Sequence, residues 1–381
     1  MFKLIVLFTL LSPNAFSYPQ FIGKGYTKCL TCHYNPFGNG PLNDYGRGVS
    51  AVAIAGRLFI PDSVTDETLG ERSSFFFNNP SSWPISPSYD YRQLNFISNY
   101  GEKDESQMEI KMQNDFSLSS QFGSRKQFTA TVTYGTLPTE RRQLKDNDTY
   151  SREHYIGYRP TEKVGIYLGK MDKVFGIRSA DHESPARKLT KNGIYDATHA
   201  ALVHINTENF DLGLQYFIGD QQRDEDERSS GFSTKFEYLV TDRIKAGISF
   251  KSEEEKLESG QKFQDKSILA KAGIGKGSSI LFEYGLSDSK LKTDGTANTS
   301  QFIFLQNFIY LRRGLYFMMT YDQKTSDIST SNEVHSLAPG INWFPMQRLE
   351  FRGEFKNTKV YDSNSITDDT WSFMGQVHLW L

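Results

Sequence analysis

Residues 279–287 read SILFEYGLS. Ile280, Phe282, Tyr284 and Leu286 alternate with Ser279, Leu281, Glu283, Gly285 and Ser287. Period two is the mark of an extended strand, whose successive side chains point to opposite faces. One face therefore meets an apolar medium and the other meets water or polar groups. In 348–356, Leu349, Phe351, Gly353 and Phe355 alternate with Arg348, Glu350, Arg352, Glu354 and Lys356. Stretches 231–238 and 243–251 repeat it, with Phe232, Thr234, Phe236 and Tyr238, then Ile244, Ala246, Ile248 and Phe250, on one face.

Working outward, the same rhythm fills 89–381. It predicts strands near 89–99, 107–120, 126–135, 150–159, 163–170, 197–206, 210–219, 231–239, 243–252, 265–274, 279–287, 300–311, 315–324, 333–344, 348–357 and 370–381. Connections after even-numbered strands are short, as at 123–125, 160–162, 207–209, 241–242, 275–278, 312–314 and 345–347. Those after odd-numbered strands are mostly longer and polar, as at 220–230, 253–264, 288–299 and 361–369. A two-sheet sandwich has no reason to sort its loops this way. The pattern resembles bacterial outer-membrane barrels, with their short periplasmic turns and longer outer loops. The resemblance implies an all-β, transmembrane antiparallel β-barrel of about sixteen strands. Apolar faces would then meet outer-membrane lipid and charged faces the lumen. The alternative is a soluble secreted β protein. High aromatic content (29 Phe and 20 Tyr) with a low mean hydropathy of −0.52 fits the barrel. The net charge of −2 gives no sign of a nucleic-acid partner. Such barrels commonly end on an aromatic residue; here Trp380 precedes a final Leu381.

The third long connection, 171–196, is the longest and is dense in charge: Lys173, Arg178, Asp181, His182, Glu183, Arg187, Lys188 and Lys191. It resembles the third loop of sixteen-stranded general porins, which folds into the lumen. That likeness implies Arg178, Asp181, Glu183 and Arg187 as a pore constriction. The alternative is a solvated surface loop. The same likeness makes a homotrimer one assembly open to the chain.

Residues 1–17 carry Lys3, an apolar run from Leu4 to Leu11 and a small-residue end at Ala15 and Ser17, which predicts a cleaved export signal and a mature start at Tyr18. The run is too short to span a bilayer. Residues 18–60 form a second region, followed by a connection over 61–88. Cys29 and Cys32, the two cysteines of the chain, stand in Cys29-Leu30-Thr31-Cys32-His33. This spacing resembles the attachment motif of monohaem c-type cytochromes. Two thiols three residues apart can each form a thioether to one haem, and the adjacent His33 then serves as proximal iron ligand. A redox Cys-x-x-Cys and a zinc site are the alternatives; the first wants a βαβ context and the second usually four ligands. Residues 42–60 look helical, with Leu42, Tyr45, Val49, Val52 and Ala53 near one face.

A sixth iron ligand has three candidates. The start Tyr18-Pro19-Gln20-Phe21 resembles that of cytochrome f, and the likeness implies the α-amine of Tyr18. His378 and His204 can each face the lumen near its periplasmic end by alternation. His335 is expected outside, and His154, His182 and His199 nearer the outer side. The whole resembles a cytochrome c segment fused to a porin-like barrel. One covalent haem c, electron transfer at the outer membrane, and periplasmic or extracellular electron-transfer proteins as partners follow from that likeness. A diffusion porin with a structural or redox-sensing haem is the alternative. A peroxidase-type enzyme is a third, for which no distal His–Arg pair can be placed.

Overall fold

The computed structural model describes residues 19–381 except 39, 74–83, 137–148, 180, 182–183, 331, 364 and 381. The stretch 1–17 expected to be an export signal, and Tyr18, His182, Glu183 and Leu381, lie outside the described residues. Sixteen antiparallel strands close into one barrel. They are β1 (Ser86–Ser98), β2 (Ser106–Phe122), β3 (Phe128–Thr136), β4 (Thr149–Tyr158), β5 (Val164–Met171), β6 (Thr198–Asn206), β7 (Phe210–Phe217), β8 (Ser229–Thr241), β9 (Ile244–Glu255), β10 (Gln261–Ile274), β11 (Ser278–Leu291), β12 (Ala297–Arg312), β13 (Leu315–Thr325), β14 (Glu333–Met346), β15 (Leu349–Asp362) and β16 (Ser365–Trp380). Each pairs with its sequence neighbours, and β1 closes on β16.

The alternation has the direction its chemistry requires. In β9, Ile244 and Ile248 are exposed on the outside, while Lys245, Ser249, Lys251 and Glu253 are buried inside. Aromatic rings gather outside near the short turns. Phe122, Phe128 and Tyr158 stack at 5.4 and 5.0 Å, and Trp343 stacks on Phe351 at 5.5 Å. Inside, charges pair with one another, as closed barrels require. Lys251 is fully buried between Glu253 (2.8 Å) and Asp265 (2.9 Å).

Three expected loops are largely strand, 253–264 among them, since β9 runs to Glu255 and β10 begins at Gln261. β15 runs to Asp362 and β16 begins at Ser365, so most of 361–369 is ladder; β11 and β12 likewise extend into 288–299. Backbone pairing continues there after apolar alternation stops, because beyond the apolar band both faces meet polar surroundings. The N-terminal region differs too. Helix α1 (Pro19–Ile22) precedes a 3₁₀ turn, Cys29–Thr31; α2 (Asp44–Val49) widens into a π turn, Ser50–Ile54; and α3 (Asp66–Ser73) lies within the stretch read as a connection. The helix expected over 42–60 stops at Ile54, and Tyr45 on its supposed apolar face is exposed.

Candidate functional site

Two segments enter the lumen. The first is the N-terminal region, docked at the short-turn end. Gly56 N–H donates to Phe344 O (2.8 Å) and Leu58 N–H to Pro345 O (2.9 Å). Arg313 donates from Nε to Ala55 O (2.9 Å), Lys28 Nζ to Thr207 O (2.7 Å), and Gln20 Nε2 to Asn342 Oδ1 (2.7 Å). The second is the connection between β5 and β6, which folds inward and is not a solvated surface loop. Its backbone N–H groups at Val174, Gly176 and Ile177 donate to Gln215 Oε1 (2.8 Å), Ser249 Oγ (3.0 Å) and Glu283 Oε2 (2.8 Å) on the wall. Its short helix α4 (Pro185–Lys188) packs on β11, β12 and β13.

Between them lies a cavity with about 1820 Å³ of empty space, part of it open to solvent. Cys29 and His33 line it on the N-terminal side, with Phe21, Phe37 and Leu42 beside them. The 3₁₀ turn brings these residues together: Cys29 O accepts from Cys32 N–H (3.1 Å) and His33 N–H (2.9 Å). Asn43 caps α2 by accepting from Gly46 N–H (2.9 Å), and its side chain donates back to Thr31 O (3.1 Å). The helix is thereby fixed against the motif. Cys32 is 1% exposed and packs among Phe21, Ile22, Ile54 and Phe344, all of which line the cavity. Burial pushes its thiol up to about 12, with the neighbouring Cys29 adding to the rise. The two thiols are not joined in a disulfide.

The candidate axial ligands separate. Pro19, next to Tyr18, lines the cavity. His378 lines it too, but its Nδ1 is bonded to Glu350 (2.8 Å) and its Nε2 to Asp90 (3.0 Å). His204 does not line it; it is fully buried against the Phe37 ring, with Nε2 on Asp211 (2.8 Å) and Nδ1 on Arg159 (3.2 Å). His335 sits with Tyr321 and Tyr361. His154 and His199 meet each other Nε2 to Nε2 at 3.1 Å.

Of the constriction residues, Arg178 and Arg187 line the cavity from the in-folded loop. Arg178 pairs with Asp172 and donates to Asn192 Oδ1 (2.6 Å). Arg187 donates to Asn192 O (2.9 Å) and Ser179 O (2.8 Å). Desolvation pulls the Arg187 guanidinium down to about 10 despite Asp181 and Asp196 nearby. Asp181 does not line the cavity but lies close enough to the carboxylates of Asp322 and Glu354 to be felt by them. Sequence reading missed the wall arginines Arg92 and Arg152, which also line the cavity. Nothing local marks them, because a lumen-facing arginine looks alike at every height of a barrel. Among the described residues no cluster of three or more His, Cys, Asp and Glu side chains is arranged to hold a metal ion.

No protein-family model and no curated protein matches the chain. Solved structures do. OmpT of Vibrio cholerae superposes with a TM-score of 0.61 at 8% identity, covering 78% of this chain and 97% of that one. An anion-selective porin from Comamonas acidovorans gives 0.58 at 9%, covering 78% and 99%. OmpF of Salmonella typhi, solved with daunomycin, gives 0.57 at 10%, covering 78% and 97%. The likeness at these identities is one of fold, and the class it defines is the sixteen-stranded, porin-like barrel.

Proposed function

We propose that this chain is an outer-membrane, porin-like c-type cytochrome that carries one covalent haem inside its barrel and takes part in electron transfer at the outer membrane. The observation that carries this reading is that Cys29 and His33 line one cavity in the lumen. The residues fit the group. Two unbridged thiols three residues apart, a histidine beside them, and the apolar side chains of Phe21, Phe37 and Leu42 on a cavity otherwise rich in charged groups are all present. Cys29 and Cys32 would form the thioethers and His33 would ligate the iron. Cys32 does not itself line the cavity; it lies in the apolar cluster with Phe21, Ile22, Ile54 and Phe344, which do. The haem supplies a one-electron couple when bound.

The chain's own residues do the rest. The N-terminal region docks at the short-turn end and the in-folded loop covers the other side, so the two segments limit the access of bulk water to the site. This filled lumen favours electron carriage over solute diffusion. Tyr18's α-amine is the sixth ligand this reading prefers, because Pro19 is on the cavity and both ring nitrogens of His378 and of His204 are engaged. A single haem does not bridge an apolar band of about 25 Å, so a periplasmic or extracellular electron-transfer protein completes the path. A homotrimer, the form in which one neighbour was solved, belongs to the same proposal.

The test is intact mass and visible spectrum of the protein exported in a host with cytochrome c maturation. The expected result is a chain starting at Tyr18 plus one haem, and a colourless Cys29→Ala/Cys32→Ala variant. A colourless wild-type chain overturns the proposal.

A further inference from the structure

The cavity has two sides, and the Cys-x-x-Cys-His motif accounts for one. Cys29 has as charged neighbours Lys235 on β8, Lys245 on β9 and Lys271 on β10. Arg187 approaches from the in-folded loop, and its charged neighbours are Asp181 and Asp196 of that loop, Arg92 on β1 and Glu283 on β11. The two residues thus face the same space from different walls and share none of these neighbours.

Arg187 differs from Arg152 and Arg178, which also line the cavity. Arg152 is paired with Asp115 at 2.5 Å, and Arg178 is paired with Asp172. Arg187 is 7% exposed, yet its bonds go to two neutral carbonyls, Asn192 O and Ser179 O. Among the described residues no carboxylate forms an ion pair with it. A buried guanidinium without a counter-ion is unfavourable, and its ordinary partner is a carboxylate held by two parallel bonds.

Haem carries its vinyl groups on one edge and two propionates on the opposite edge. Thioethers at Cys29 and Cys32 would tie the vinyl edge to the N-terminal region and leave the propionate edge for residues of another wall. We propose that Arg187 is the propionate partner of the haem, so that the third loop of a porin fold serves here as a cofactor clamp. This rests on the haem reading above. Arg187 is a positioning residue in this role: its cation lies beside the porphyrin and favours the reduced, less positive iron.

The experiment is spectroelectrochemical titration of the full exported protein, with Arg187→Gln and Arg187→Lys compared with wild type. The covalent link keeps the haem in each variant, so colour is not the readout. Arg187→Gln is expected to shift the reduction equilibrium toward ferric iron by about threefold to tenfold; the upper figure is about 59 mV for a one-electron couple. Its potential should also become pH-dependent in the weakly acidic range, as the freed propionate titrates. Arg187→Lys keeps the charge and should stay within about twofold of wild type. A coloured Arg187→Gln protein with an unmoved potential overturns this assignment and leaves the haem reading standing. Equal shifts in both variants also overturn it, since they report loss of loop structure and not of charge. A colourless wild-type protein sinks both.

Discussion

The two segments that fill the lumen are held in different ways. The in-folded loop is fastened to buried side chains of the wall: its backbone N–H groups donate to Gln215, Ser249 and Glu283, and Lys173 pairs with Glu253 at 2.6 Å. The N-terminal region is fastened at the rim, where Gly56, Leu58 and Lys28 donate to barrel carbonyls and Arg313 of the barrel donates to Ala55 O. A few wall side chains hold it as well, with Ser279 and Lys245 donating to Pro19 O and Thr27 O and Gln20 donating to Asn342. Both also use a left-handed glycine pressed on a wall glutamate. At Gly176 (φ 59°) an added Cβ would stand 2.4 Å from Glu283 Oε1, and at Gly40 (φ 65°) 2.3 Å from Glu153 Oε1. Only glycine combines that backbone with that approach. The loop is thus built into the wall's charge network, whereas the N-terminal region sits on the barrel like a stopper. The first should fail with the barrel; the second can loosen without it.

The strongest blow to that contrast should come from Lys251→Ala. Lys251 joins Glu253 and Asp265 and also donates to Thr190 O of the loop. Breaking a buried network by removing one partner costs about 3–5 kcal/mol. Heat-modifiability on gels should drop sharply for the whole barrel. If only the loop became protease-sensitive, the wall and loop would be separate units after all.

Ile248→Lys comes next. Ile248 is 59% exposed in the middle of β9, paired with Ile268 and Phe236. A lysine on the lipid face costs about 2–4 kcal/mol at the midplane. Refolding into lipid vesicles should suffer while solubility in denaturant is unchanged. Unimpaired refolding would say that this face does not meet lipid, and neither segment would then lie in a membrane pore.

Glu283→Ala should be milder, about 1–3 kcal/mol, since it strands the buried Ile177 N–H. Hydrogen exchange should rise over 173–179 and not over 19–58. Equal rises in both would show the two segments to be coupled through the cavity.

The smallest effect belongs to the stopper. Asp66 takes Arg313 at 2.9 Å and Arg57 at 2.8 Å in an exposed pair. Such pairs contribute about 0.2–1 kcal/mol. Slight burial pushes the Asp66 carboxyl up, but Arg313 and Arg57 outweigh it and hold the group below its ordinary value. A depressed folded pKa gives stability that is present above the ordinary value of about 3.9 and is lost as pH falls through the folded one. Proteolytic release of the N-terminal region should therefore quicken at acid pH in wild type. Asp66→Asn should be faster at neutral pH and lack that dependence. An identical acid response in both would place the sensitive group elsewhere.

Much of this molecule is legible residue by residue. The sixteen strands, and the inside and outside faces of those with clean alternation, follow from the period-two pattern. A lipid-facing surface forces an apolar residue at every second position, whatever its partner. The Cys29–Cys32–His33 spacing is equally local, because one short turn contains it. Chemistry that arises between distant segments is not legible in this way. Alternation put His204 and His378 on the lumen side alike; tertiary packing placed His378 on the cavity and shut His204 behind Phe37. Charge density singled out 171–196, but only the fold left Arg187 with carbonyls while giving Arg178 an acid. Periodicity reports which medium a side chain meets. Which other side chain it meets depends on barrel height and on the path of segments hundreds of residues away, and no local pattern encodes either.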